Sequence, residues 1–271
     1  MTQLDAALQR KVNACTSALL GLKRVAVAFS GGVDSTLLLA LAAEALGGDN
    51  VLAVTGVSPS LPARERQACA ELARSLGVEH VEIETAELDD PEYAANVPQR
   101  CFHCKSDLFR RLKALAAERG FAAVVCGANA DDTGDFRPGL RAGDELGVPA
   151  PLLEAGLTKQ DVRDVSRAMG LPTWDKPAMA CLASRIPYHE PITAEKLARI
   201  ERAEDALRDL GFAHCRVRTH GTVARIEVPP ADVPRVAARA AEVTAALKAA
   251  GYAYVALDLE GYRMGAMNEV L

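Results

Sequence analysis

Short apolar or alternating runs and longer stretches with helically spaced apolar positions take turns along the first half of the chain. The short runs are Val25–Phe29, Val51–Val57, His80–Glu84 and Ala122–Cys126, and the longer ones are Leu37–Leu46, Ala63–Leu76 and Lys105–Glu118. This βαβα order predicts an α/β fold, a parallel sheet with helices on both faces. Sheets of that kind bind ligands beyond the carboxyl ends of their strands. Residues 1–22 alternate polar and apolar positions as an amphipathic helix does. Asp5, Arg10 and Lys11 interrupt any apolar core that an export signal needs.

The pattern changes in the second half. Residues 134–157 carry Gly134, Pro138, Gly139, Gly143, Gly147, Pro149, Pro151 and Gly156, and predict a long loop with a short helical turn at most. A helix follows from Thr158 to Met169, with Thr158 as N-cap and Gly170 after its end. The proline-bearing stretch Leu171–Pro191 then leads into helix Ala194–Leu210, hairpin His214–Val228 turning near His220-Gly221, helix Ala231–Ala249 and strand Tyr252–Leu257. We expect two domains, residues 1–186 and a smaller α+β domain at 187–271.

With 271 residues, 49% hydrophobic and 25% charged, the chain falls in the globular range and can bury a substantial core. No stretch approaches the roughly eighteen apolar residues that span a bilayer, so neither membrane insertion nor export is expected, and the chain reads as cytoplasmic. The formal charge of −5 and the lack of a basic run argue against nucleic acid as partner. A small anion met by local arginines suits this balance better.

Candidate chemistry starts at Ser30-Gly31-Gly32-Val33-Asp34-Ser35-Thr36, between the first strand and the first long helix. A strand, a glycine turn and a helix start in that order build an anion site, because glycines let the backbone approach phosphate and the helix N-terminus faces it. The spacing and the missing lysine exclude a Walker A loop. The segment resembles instead the SGGxDS signature of the PP-loop ATP pyrophosphatases, which cleave ATP between the α and β phosphates. That resemblance implies that Asp34 helps hold Mg²⁺ and that Ser30, Gly31, Gly32 and Ser35 cradle pyrophosphate. Cys126-Gly127-Ala128-Asn129-Ala130-Asp131-Asp132 follows the strand at Ala122 in the same way. It resembles the Gly-x-Asn-x-x-Asp stretch of the same enzymes, with Gly127 and Asn129 in the nucleotide site; read alone, its alternative is a turn-rich surface loop.

Seven cysteines in a chain without an export signal point to metal or redox ligands rather than to a disulfide framework. Cys101 and Cys104 form a C-x-x-C pair just before a helix, where the dipole favours thiolate. Cys181 lies in the proline-bearing stretch beyond. Three thiolates suit a [4Fe-4S] cluster with one iron open, whereas structural zinc takes four ligands and would need His103, Cys126 or His189 as well. Cys15, Cys69 and Cys215 read as small core or helix-face residues.

These segments together are similar to the LarE family, PP-loop sulfur transferases that mature the nickel-pincer cofactor of lactate racemase. The likeness runs through Phe29–Ser35, Arg100–Lys105, Gly127–Asp132, Trp174–Pro177, Ala180–Tyr188, Arg216-Val217-Arg218 and Leu257–Glu269, and Cys181–Pro187 is its most specific part. It implies an AMP-forming enzyme that uses ATP to adenylate each carboxylate of pyridinium-3,5-biscarboxylic acid mononucleotide and converts it to a thiocarboxylate. Some members sacrifice the sulfur of the cysteine matching Cys181; others carry the C-x-x-C pair too and hold a [4Fe-4S] cluster, the type this chain resembles. A PP-loop tRNA thiolase is the alternative. Arg216 and Arg218, two apart on one strand face, are candidates to clamp phosphate or carboxylate, or to face solvent. Arg185 is a candidate to lower the Cys181 thiol pKa or bind substrate phosphate, and Glu201 or Glu204 to be an active-site acid. Self-association through the smaller domain is expected, with a sulfur donor and a nickel-inserting protein as further partners.

Overall fold

The computed structural model describes residues 4–134, 138–177 and 180–263. Its elements in chain order are α1 (Ala6–Leu22), β1 (Val25–Ala28), α2 (Val33–Leu46), β2 (Val51–Val57), α3 (Ala63–Ser75), β3 (Glu79–Glu84), α4 (Pro91–Ala94), α5 (Arg100–Glu118), β4 (Ala123–Cys126), α6 (Pro138–Glu145), α7 (Pro151–Glu154), α8 (Lys159–Ala168), α9 (Ala194–Asp209), β5 (Arg216–His220), β6 (Val223–Glu227), α10 (Val233–Ala238), α11 (Ala240–Ala249) and β7 (Tyr254–Leu257). They form two compact units, Met1–Glu87 with Gln99–Met179, and Leu88–Pro98 with Ala180–Leu271. The sequence placed the division after residue 186. Cys181 and Arg185 instead belong to the second unit, together with the short α4 segment. Hydrogen bonds account for that segment's place: His189 N donates to Asn96 O at 3.1 Å and Ile192 N to Ala94 O at 2.8 Å.

In the first unit β1 pairs in parallel with β2 and β4, and β2 with β3, in the order β3-β2-β1-β4. Side chains alternate across a strand. Val25, Val27, Val51, Ala53 and Val125 therefore enter one core with residues of α1, α2, α3, α7 and α8, while Ala26, Leu52, Val54 and Val124 enter another with residues of α5 and α6. Helices cover both faces, so β1 is apolar at every position. Leu37, Leu38 and Leu39 of α2 have no exposed surface, and each contributes about 1.5–3 kcal/mol relative to an exposed position. The chain runs outward from β1 to β3 and returns to β4 on the other side of β1. That reversal leaves a crevice between the loops after β1 and β4, the position where such sheets take ligands.

Three elements differ from the expectation. The proline-rich stretch read as a loop carries α6 and α7, because Pro138 and Pro151 occupy first helical positions, where a missing N–H costs nothing. The C-x-x-C pair lies inside the first turns of α5 rather than before it. The helix expected over Ala231–Ala249 is two helices, since Arg239 leaves helical geometry at φ −108°, ψ 27°. Thr158 does cap α8, in a capping box with Asp161.

The second unit has a separate sheet, β5-β6-β7, antiparallel between β5 and β6 and parallel between β6 and β7. Its hairpin turns at Gly221, φ +59°. Leu207, Phe212, Val217, Ile226, Val236 and Leu247 anchor its core. Among the described residues no helix is long and apolar enough to cross a membrane. Met264–Glu269, the end of the closing motif, lie outside the described residues.

Candidate functional site

The turn from β1 to α2 is tied across itself. Ser35 Oγ accepts from Ser30 N at 3.3 Å, donates to Gly32 O at 3.3 Å and lies 3.1 Å from Ser30 Oγ. Gly31 sits at φ +65°, and a Cβ there would lie 2.9 Å from Cys69 Sγ beneath the turn, so glycine is required twice over. Gly32 is the N-cap of α2 and supplies no side-chain cap. A helix N-terminus without a side-chain acceptor, at the carboxyl end of a strand, is an anion site.

Asp34, in the first turn of α2, reaches the loop after β4. Asn129 Nδ2 donates to its Oδ1 at 3.0 Å, and Lys159 Nζ, at the start of α8, to its Oδ2 at 2.5 Å. Asn129 is itself held, its N–H donating to Asp132 Oδ2 at 3.0 Å and its Oδ1 accepting from Asp131 N at 3.0 Å. Asp131 Oδ2 in turn accepts from Lys159 N at 2.9 Å. At Gly127 a Cβ would come within 2.9 Å of Ser35 N and 3.0 Å of its Cα; the glycine lets the two loops touch. The structure thus brings Ser30, Gly31, Gly32, Asp34, Ser35, Gly127 and Asn129 to one crevice. It adds two lysines that the sequence reading missed. Lys176 Nζ donates to Gly31 O at 3.0 Å and to Glu65 Oε2 at 2.7 Å, bracing the turn from outside.

The cysteines separate by environment. Cys101 and Cys104 lie one turn apart on α5, the first exposed and the second partly so, and Cys181 is exposed. Burial pushes the Cys15 and Cys215 thiols up to about 12 and raises those of Cys69 and Cys126. The thiols available for soft-metal or sulfur chemistry are therefore the three that the sequence singled out. Among the described residues no three His, Cys, Asp or Glu side chains are gathered as a metal site. Donor type and accessibility fit cluster ligation; the pair belongs to the first unit and Cys181 to the second.

In the second unit Cys181 precedes a short 3-10 turn, Leu182–Arg185. Arg185 is buried and its guanidinium is committed. Nε and Nη2 donate to Glu204 at 2.7 and 3.1 Å, and Nη1 to Ala180 O, Cys181 O and Ser184 Oγ at 2.7, 3.2 and 2.9 Å. Arg218 pairs with Glu227 through two bonds of 3.0 Å and donates to Ser184 O at 2.6 Å. Both guanidiniums hold the thiol-bearing turn. Glu204, open with Glu201 as the candidate acid, is the fully buried one and also accepts from Val217 N and Arg208. Arg216 differs. It stacks 4.3 Å over Tyr262, and burial together with the neighbouring Arg185 lowers its pKa. A desolvated cation beside other cations favours an anionic ligand.

An uncapped helix start and an acidic first turn at the reversal point of a parallel sheet fit the nucleotide-binding α/β enzyme that the SGGxDS resemblance implies. The comparisons agree. The NAD synthase family pattern matches residues 1–116. The pyridinium-3,5-bisthiocarboxylic acid mononucleotide synthase of Lactiplantibacillus plantarum is 40% identical over 266 residues, 98% of this chain and 96% of that protein. An uncharacterized Synechocystis sp. protein is 44% identical over 252 residues, 92% of this chain and 94% of its own. The argininosuccinate synthase of Natronomonas pharaonis is 32% identical over 159 residues, 55% of this chain and 40% of that protein. The chain belongs to the LarE family, that of the L. plantarum synthase, within the PP-loop ATP pyrophosphatases.

Proposed function

We propose that the protein uses ATP to adenylate the carboxylates of pyridinium-3,5-biscarboxylic acid mononucleotide and converts them to thiocarboxylates, releasing AMP and pyrophosphate. The observation that carries this reading is the uncapped start of α2 with Asp34 in its first turn, at the crevice between the loops after β1 and β4. The likeness to the L. plantarum synthase along almost the whole chain supports the choice of substrate.

A carboxylate is a poor electrophile at neutral pH. Its oxygen attacks the α phosphorus of ATP, pyrophosphate leaves, and the resulting acyl adenylate accepts a sulfide while AMP departs. Ser30, Gly31, Gly32 and Ser35 bind the phosphates, with Gly127 and Asn129 closing the crevice. Asp34 would hold Mg²⁺, which would supply charge neutralisation at the phosphates when bound. Arg216 takes an anionic group of the pyridinium nucleotide, while Arg185 and Arg218 fix the segment that carries Cys181.

Cys101, Cys104 and Cys181 would hold a [4Fe-4S] cluster, which would supply sulfide chemistry when bound. In this reading the product serves the nickel-pincer cofactor of lactate racemase, with a sulfur donor and a nickel-inserting protein as partners and a homo-oligomer as the working form. Incubation of anaerobically prepared protein with ATP, Mg²⁺, the pyridinium dicarboxylate and sulfide tests the assignment. AMP formed in step with thiocarboxylate supports it; ADP and phosphate as main products would overturn it.

A further inference from the structure

Arg216 rests on an aromatic ring. Its guanidinium lies 4.3 Å from the centre of the Tyr262 ring, and both side chains are partly exposed. The turn that delivers this ring is fastened at both ends, because Asp258 N donates to Ile226 O at 2.9 Å and Tyr262 N to Val228 O at 2.8 Å. Within it, Asp258 Oδ2 accepts from Arg225 Nη1 at 2.9 Å and Oδ1 from Glu260 N at 3.0 Å. Gly261 sits at φ +73°, and a Cβ there would lie 2.6 Å from Val228 O, so the turn requires glycine. It leaves Leu259 84% exposed while bringing Tyr262 back beside Arg216.

The substrate proposed above carries a fixed positive charge on its ring nitrogen as well as anionic groups. The carboxylates of this region are committed to arginines: Glu204 to Arg185 and Arg208, Glu227 to Arg218 and Arg225, and Asp258 to Arg225. An aromatic face is another source of negative potential, and Tyr262 presents one beside Arg216. We infer that Tyr262 recognises the pyridinium ring, giving up the Arg216 guanidinium to receive the ring cation while Arg216 turns to an anionic group of the same nucleotide. The inference rests on the substrate reading. Guanidinium and pyridinium are both planar cations, so a face that seats one suits the other. The exchange keeps one positive charge on the Tyr262 ring, and it pairs the charge of the arginine with an anion. Tyr262 thereby reads ring charge, which separates a pyridinium nucleotide from its dihydropyridine form.

Pyridinium-3,5-biscarboxylic acid mononucleotide and its dihydropyridine form, made by hydride reduction, are the probes. They share ribose, phosphate and carboxylates and differ in ring charge. Calorimetric titration of the wild type should show the charged ring bound about two- to thirtyfold more tightly, the range of a cation–π contact. Tyr262→Phe should keep this preference and Tyr262→Leu should lose it, while Arg216→Met should weaken both ligands. The ratio of the two affinities is the readout, so a variant with a loosened fold, which weakens both, cannot imitate the result. Equal binding of the two forms by the wild type, or a full preference in Tyr262→Leu, would overturn the inference and leave the substrate reading standing. Wild-type protein that binds neither form, and makes no thiocarboxylate from the charged one with ATP and sulfide, would overturn the substrate reading and the inference with it.

Discussion

Glu204 of α9 receives two hydrogen bonds from Arg185, at 2.7 and 3.1 Å, with side chains 0% and 2% exposed. The same guanidinium holds the carbonyls of Ala180 and Cys181, so the helix sets where the thiol-bearing turn begins. Removing one partner of a buried pair strands the other charge. Glu204→Ala should lower stability by about 3–5 kcal/mol, read as a shift in the urea midpoint. Arg185→Met with Glu204→Leu should cost less than either single change, and a double change that costs the sum of both would contradict the coupling.

Gly127 is glycine for contact, not for flexibility. A methyl group there would press on the main chain at Ser35, 2.9 Å from its nitrogen. Gly127→Ala should therefore destabilise by about 1–3 kcal/mol and weaken ATP binding together, because the same shift spreads the loops after β1 and β4. Gly21→Ala, inside α1 where a Cβ meets nothing within 4 Å, should leave ATP binding unchanged and raise stability by up to about 1 kcal/mol. Calorimetric titration with ATP, alongside thermal melts, separates the two variants.

The sheet was legible because β1 and β4 are apolar on both faces, β3 alternates, and glycine or asparagine marks the carboxyl ends of β1 and β4. Asp34 and Asn129 could be named for the same reason. Lys159 could not, since nothing near it in the chain announces a partner 125 residues away. Arg185 and Arg218 illustrate the same limit. An arginine beside a cysteine, or two on a strand face, looks free to bind substrate until Glu204 and Glu227 are found against them. Proline misled in the other direction: at Pro138 and Pro151 it begins helices rather than breaking them.

Thiol accessibility makes a direct prediction. At neutral pH a thiol-alkylating reagent should label Cys101, Cys104 and Cys181 first, because attack requires an accessible thiolate. Cys15, Cys69 and Cys215 are buried, and burial raises all three thiols, Cys15 and Cys215 to about 12. Mass mapping of labelled peptides should find these three modified only after denaturation. Early labelling of Cys69 would contradict the packing beneath Gly31.

Single Cys→Ala changes at positions 101, 104 and 181 should each reduce bound iron in anaerobically reconstituted protein and thiocarboxylate yield alike. In the proposed cluster each of the three thiolates would hold iron, so each loss weakens iron binding. Full activity in Cys101→Ala and Cys104→Ala with Cys181→Ala inactive, and spent protein lighter by one sulfur and two hydrogens, would instead mean sacrificial transfer from Cys181.

The most direct measurement of the whole account follows the phosphorus and the sulfur in one reaction. Anaerobic protein is given ATP labelled at the α phosphate, Mg²⁺, sulfide and the pyridinium dicarboxylate mononucleotide, and AMP and thiocarboxylate are quantified together. We predict one AMP for each thiocarboxylate formed, no ADP, and loss of both products in Asp34→Ala. ADP as the main product, or thiolated tRNA from a parallel incubation with tRNA and no response to the mononucleotide, would contradict it.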